Sequence, residues 1–189
     1  MKIVSIFSSL AVVALLAGCS TAIEKRRDEI ALNYLAESNL IATNYSAADK
    51  LIAQAQNRLV ADRPILVATL VKIDALDTSS TLGRVTSENI ASRFTNAGYK
   101  VIEMKFGNSV YMKQNEGELV LTREITNIAK THNVQGVVVG SYGVGTDSVF
   151  MNIKIVRPGE DKAVISSHDY SISRNREVDE MLKVKREMN

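Results

Sequence analysis

GVVVGSYGVGTDSVFMNIKIVRPGEDKAVISSHDYSI, residues 136 to 172, carries three strand signals in a row. Gly136–Tyr142 is a continuous apolar run of the kind a buried strand shows. Val149, Met151, Ile153 and Ile155 then alternate with Phe150, Asn152, Lys154 and Val156, which puts the two sets on opposite faces of a second strand. Arg157-Pro158-Gly159-Glu160-Asp161 reads as a turn, because proline presets φ and glycine admits positive φ. Ala163–Ile172 is the third strand.

Upstream of this block, helix and strand patterns alternate. Ser46-Ala47-Ala48-Asp49 reads as a capping-box start with aspartate in the acidic place, and Leu51, Ile52, Ala55 and Leu59 share one face, so a helix is expected from about 47 to 61. Pro64 ends it, and Ile65–Val71 reads as one buried strand. The polar connection 74–84 offers Ser79, Ser80 and Thr81 as N-caps of a second helix, with Val85, Ile90, Ala91, Phe94 and Ala97 inward and Gly98 at its end. Tyr99–Phe106 is the next strand. Residues 107–120 lack periodicity and read as a long loop or irregular hairpin. Thr122 is placed to cap a third helix that reaches His132 and carries Ile125, Ile128 and Ala129. A charged helix from about Asn175 to Lys185 closes the chain. The order α-β-α-β-α-β-β-β-α specifies an α/β (α+β) fold: a single small domain, a mixed β-sheet with helices packed on it.

The N-terminus answers a different question. Lys2 precedes an apolar run from Ile3 to Leu16 that ends in small residues, the anatomy of a bacterial secretory signal and too short for a spanning helix. Leu16-Ala17-Gly18-Cys19 resembles the lipobox of bacterial lipoproteins. Small side chains there admit the peptidase, and only the Cys19 thiol forms a thioether to diacylglycerol. Residues 1–18 are therefore expected to leave as a signal peptide, with Cys19 carrying diacylglycerol and an N-acyl chain as the chain's sole covalent group and no other cofactor. Each buried CH₂ of those chains contributes about 0.8 kcal/mol of membrane affinity. Ser20, where other such signals use aspartate for inner-membrane retention, points by resemblance to those signals to the outer membrane, with the periplasmic face expected and surface exposure as the alternative. Residues 19–45 form a partly helical tether, and 46–189 the α/β domain. Fully extended, the tether spans about 90 Å, and as a flexible coil about 30 Å.

Composition narrows the function. Formal net charge is +2 with both signs mixed along the chain, which argues against a nucleic-acid surface. Tryptophan is absent and aromatics make up 5%, which disfavours a sugar-stacking platform. Two histidines and one cysteine make no metal cluster, and once Cys19 is lipidated no disulfide is available. Gly140-Ser141-Tyr142-Gly143-Val144-Gly145 follows a strand as a phosphate loop does, but no helix comes after it to aim its dipole. A hairpin connection needing positive φ is the better reading. His132 suits a helix C-terminus. His168 points away from Asp169 and lacks a marked nucleophile or metal partner. Glu116 and Glu118 lie two apart in the loop, where a solvated role outweighs a catalytic pair. Lys183-Val184-Lys185-Arg186 reads as a solvated helix face in preference to a lipid or peptidoglycan contact. Nothing in the pattern is catalytic.

Several stretches together resemble the FlgO family of flagellar outer-membrane lipoproteins. They are Ala48–Ile52, Arg63–Thr69, Leu76–Arg84, Gly98–Glu103, Glu116–Arg123 and Val138–Tyr142. The resemblance implies a non-enzymatic periplasmic component needed for flagellar assembly or motility, part of a basal-body ring at the outer membrane. It also implies flagellar ring proteins as partners, self-association in a ring, contact with outer-membrane lipid, and a fold similar to the TolB N-terminal domain and the periplasmic part of CsgG; peptidoglycan is a further candidate partner that the sequence leaves open. Long polar loops on a small domain suggest protein contacts at Asp77, Ser79, Ser80, Arg84, Glu116 and Glu118. The alternative is a lipoprotein regulator of a peptidoglycan synthase, an LpoB-like binding module, although that role favours a longer, proline-rich tether. A cell-wall hydrolase would need an acid/base pair the sequence does not display.

Overall fold

The computed structural model describes residues 25–27, 40–76, 78–104, 123–159 and 163–183. The chain divides into two units, Met1–Ser38 and Asn39–Asn189. In the first only the helical residues 25–27 are described, so the fold is that of the second. Its elements are α1 (40–55), β1 (Ile65–Ala68), β2 (Val71–Lys72), α2 (Thr81–Asn96), β3 (Val101–Met104), α3 (Arg123–Thr131), β4 (Gly136–Val144), β5 (Ser148–Val156), β6 (Val164–Ser173) and α4 (Arg176–Leu182).

β4 is the hinge of the topology. β1 and β3 lie parallel to each other, and β1 and β2 lie parallel to β4, with Ile65 opposite Gly136 and Val71 opposite Ser141. On its other side β4 pairs antiparallel with β5, which pairs antiparallel with β6. The order β3-β1-β4-β5-β6 is thus the mixed sheet read from the sequence. Parallel neighbours need helical crossovers, whereas antiparallel ones need only tight turns. That is why the first half of the chain is rich in helices and the second is a meander.

Strand alternation gives the sheet two faces. One carries Ile65, Val67, Val138, Tyr142, Val149, Met151, Ile153 and Ile155, buried with Leu51 and Ala55 of α1, Leu82, Ile90 and Phe94 of α2 and Val178 of α4. The other carries Leu66, Ala68, Val137, Val139 and Val156, buried with Ile125 and Ala129 of α3.

Helix ends follow local chemistry. Ser80 caps α2, its side chain accepting from the Gly83 amide, and Asn175 does the same for α4 toward Val178. At the other end of α2, Gly98 takes φ 90°, its amide donates to the Thr95 carbonyl, and the Tyr99 amide donates to Phe94. The Phe94 and Tyr99 rings meet at 5.8 Å, so the αL cap is completed by its apolar contact. Asn133, at φ 51°, ends α3 the same way, with the Val134 amide donating to Ala129.

Three readings are corrected. The first helix already includes residue 40, where the described residues resume, and stops at 55, so Ser46 is an exposed mid-helix residue and not a cap. Residues 40–45, placed in the tether by sequence, are helical because Leu40 and Asn44 are buried against the domain. The apolar run Ile65–Val71 is two strands. Between them Leu70 folds into the core, held by Ser87 Oγ accepting from its amide at 2.9 Å and Ser79 Oγ donating to its carbonyl at 2.7 Å. Finally, the 140–145 segment is not a positive-φ loop. Gly140 and Gly143 lie within β4, and Gly98 is the glycine with positive φ among the described residues. Gly140 serves close approach: a Cβ there would sit 2.6 Å from the Asn152 carbonyl oxygen and 2.9 Å from Leu70 Cγ. β5 follows it directly, so no helix N-terminus is available for a phosphate.

Candidate docking surface

Because α3 lies over β1 and the start of β4, it covers only half of its face of the sheet. The other half is formed by the end of β4, the start of β5 and the end of β6. Cross-strand register builds it in rows: Gly143 beside Phe150 beside Ser171, and Ser141 beside Asn152 beside Asp169. With Ile73, which follows β2, these residues line a shallow concavity of about 450 Å³. Ile73 is 57% exposed, and Phe150 is 61% exposed in a strand whose opposite face is fully buried. A phenylalanine on the polar phase of an alternating strand is normally explained by what it covers. Here its ring reaches over Gly145, 3.1 Å from where a Cβ would stand, and leaves its other face open.

The polar side of the concavity is fixed. Asn152 Nδ2 donates to Asp169 Oδ1 across the two strands, which presents a carboxylate of set orientation. The β4–β5 hairpin that frames the apolar side is tied down from β6. Arg174 Nη1 donates to the carbonyls of Gly145 (2.7 Å) and Thr146 (3.1 Å), while its Nε donates to Asp179 Oδ1 of α4 at 2.8 Å. Arg174→Ala should destabilise the domain by about 1–2 kcal/mol, less than three buried bonds would, because the freed carbonyls can reach water. Urea melts check the size. Amide exchange should quicken locally around 145–148.

On the opposite face, at the β6 side, Tyr170 donates from its hydroxyl to Asn44 Oδ1 at 2.8 Å, and burial holds its pKa far above the ordinary value. His168 stacks on Tyr170 at 6.0 Å with rings within 9° of parallel. Burial lowers the His168 pKa, the Lys50 cation lowers it further, and Asp169 opposes both. The unfolded chain therefore takes up a proton near pH 6.5 that the folded chain takes up only at lower pH. Stability should fall as pH drops through that window, and His168→Gln should flatten the slope; chemical melts at pH 7 and 5 measure it.

The residues singled out for protein contact separate. Ser80 is 1% exposed and spends its hydroxyl on the α2 cap, so it is a structural residue and not a contact. Ser79 is half-buried, occupied with the Leu70 carbonyl. Arg84 is exposed and borders a small cleft of about 70 Å³ with Val67, Thr69 and Glu103, at the carboxyl ends of β1 and β3. Asp77, Glu116 and Glu118 lie outside the described residues, as do Leu16, Ala17, Gly18 and Cys19, the loop 107–120 and the Thr122 cap. His132 is exposed just past α3. Among the described residues no group of three or more metal-ligating side chains converges, and no helix is long and apolar enough to cross a membrane. Ile73, Phe150, Asn152 and Asp169 did not stand out in the sequence as a group. The signal that marks them is Phe150 in the polar phase of β5.

A family model described as FlgO protein matches residues 45–177, from within α1 to the start of α4. The chain belongs to the FlgO family. Among solved structures it is similar to the LpoB C-terminal domain from Salmonella enterica, at 13% identity and TM-score 0.46, covering 68% of this chain and 96% of that one. It is also similar to the LpoB C-terminal domain from Escherichia coli, at 13% identity and TM-score 0.43, covering 67% and 98%. The PelC dodecamer from Paraburkholderia phytofirmans is 15% identical with TM-score 0.38, covering 61% and 74%. No curated protein matches.

Proposed function

We propose that this chain is a non-enzymatic lipoprotein, anchored through lipid on Cys19 to the periplasmic face of the outer membrane, which acts as a structural or assembly component of the flagellar basal body there. The observation that carries this reading is family membership across nearly the whole domain. The Leu16–Cys19 lipobox supplies the anchor. The half-face of the sheet that no described helix covers, apolar on one side and acidic on the other, suits a protein partner better than a small substrate, since it is shallow and open. Ring proteins of the flagellum and further copies of the chain are its proposed partners.

The test is deletion of the gene, with basal bodies imaged by electron cryotomography and swimming scored. Complementation then compares the wild type with Cys19→Ala. Loss or depletion of density at the outer-membrane ring, restored by the wild type and not by Cys19→Ala, supports the proposal. Intact basal bodies with altered wall synthesis would overturn it in favour of the synthase regulator.

A further inference from the structure

β6 is the last strand of the sheet, and among the described residues it has a neighbouring strand on one side only. Its free side can be assigned residue by residue. The Ser167 amide turns away from β5 and donates to Gln54 Oε1 of α1 at 3.3 Å, whereas the Arg174 amide turns toward β5 and donates to Asp147. Backbone direction alternates along an antiparallel strand, so the amides and carbonyls of Asp169, Ser171 and Ser173 also face outward. Edge strands that must avoid pairing usually carry proline, lysine or a bulge. The bulge of β6 sits at its far end, near Val164, and residues 166–173 hold no proline or lysine.

This free edge borders the concavity. Ser171 lies directly across from Phe150, and Asp169 directly across from Asn152. We propose that the outward edge of β6 from Asp169 to Ser173 is a strand-addition site for an extended segment of a partner protein. That segment carries a large apolar side chain and, two residues away, a lysine or arginine.

The chemistry follows from the rows. An added strand would lie about 4.8 Å beyond β6, and its side chains on this face would stand opposite Ser171 and Asp169. Serine is too small to block the first position, so a long apolar side chain there passes over it onto the open face of Phe150. At the second position the side chain meets the Asp169 carboxylate, which Asn152 holds in place. A cation is the complement, and a carboxylate would be repelled. Backbone pairing supplies affinity and the two side chains supply selectivity, the division of labour usual in strand addition. The inference goes beyond the flagellar reading and does not depend on it.

The probe is a displayed random library of eight-residue peptides, selected against the full chain in detergent, with binding of the winners measured by fluorescence anisotropy. The winners should share an apolar residue and a basic residue two positions apart. Ser171→Pro removes an outward amide at a place where an edge strand tolerates proline, and it should weaken binding at least tenfold while circular dichroism shows the fold retained. Asp169→Asn and Phe150→Ala, which leave the backbone alone, should each weaken binding about fivefold, the former with a reduced salt dependence. Winners without the spaced pair, or indifferent to Asp169→Asn and Phe150→Ala, would overturn the proposal. So would a wild-type dimer that Ser171→Pro dissociates, since the edge would then belong to a second copy of the chain.

Discussion

Replacing Gly83 by alanine should destabilise the domain by about 2 kcal/mol, even though alanine is the better helix former by about 1 kcal/mol. Gly83 lies in the first turn of α2, and a Cβ there would stand 2.5 Å from the Leu70 carbonyl oxygen, 2.7 Å from Ser79 Oγ and 3.2 Å from Tyr142 Cε1. None of these can step aside cheaply. The Leu70 carbonyl is held by Ser79 and its amide by Ser87, and Ser87 Oγ donates back to the Gly83 carbonyl at 2.9 Å. Tyr142 is fully packed beneath the same turn. The helix would have to lift off the sheet. Valine should cost more than alanine. Gly98 supplies the contrast, because nothing lies within 4 Å of a Cβ there and its demand is the φ of 90°. Gly98→Asn, which tolerates that conformation, should cost under about 1 kcal/mol. Urea melts of the three variants separate a glycine kept for space from one kept for conformation.

A second large effect is expected at Gln135. Its amide side chain is buried just before β4, and it binds the chain that leads from α1 into β1. Oε1 accepts from the Val60 amide at 2.7 Å, and Nε2 donates to the carbonyls of Val60 and Arg63, the latter at 2.6 Å. One side chain thus satisfies three backbone groups more than 70 residues away in sequence. Gln135→Leu keeps much of the volume and removes all three bonds, so it should cost about 3 kcal/mol. Gln135→Glu should be no milder at neutral pH, because it turns an acceptor toward two carbonyls. Its loss should shrink on acidification, as the carboxyl gains a proton to donate. A urea titration of both variants at pH 7 and pH 4 distinguishes lost bonds from lost packing.

These two residues also mark where the sequence is readable. Caps are local chemistry, so Gly98 could be placed from a few neighbours and the α2 cap narrowed to Ser79, Ser80 and Thr81, while the last helix was read to start near Asn175. The alternation of β5 and the turn after it were equally plain. Leu70 was not. An apolar run with only Thr69 in it carries no sign that Thr69 and Leu70 leave the ladder, and the room for Leu70 comes from far away at Gly140, which has no side chain. The same glycine, read locally, suggests a turn. That α1 takes in residues 40–45 was hidden for a related reason: Asn44 is inside because of what β6 presents to it, with Tyr170 bonding it across 126 residues. The candidate surface was the least legible part. Phe150 and Asp169 are individually unremarkable, and only the register that aligns β5 with β6, together with the limited reach of α3, makes them one patch.

The position of β4 has a consequence for how the chain comes to be folded. Ribosome and translocon alike deliver a polypeptide from its N-terminus. The strands that emerge first, β1 and β3, have only each other as sheet partners until residues 136–144 arrive. The meander from β4 to β6 is the reverse: its contacts are local and can close quickly once it is delivered. About two-thirds of the chain must therefore wait, with one edge of β1 unpaired, for its last third. During that interval β1 is an aggregation hazard, which makes protection of the nascent or translocating chain a condition of its yield.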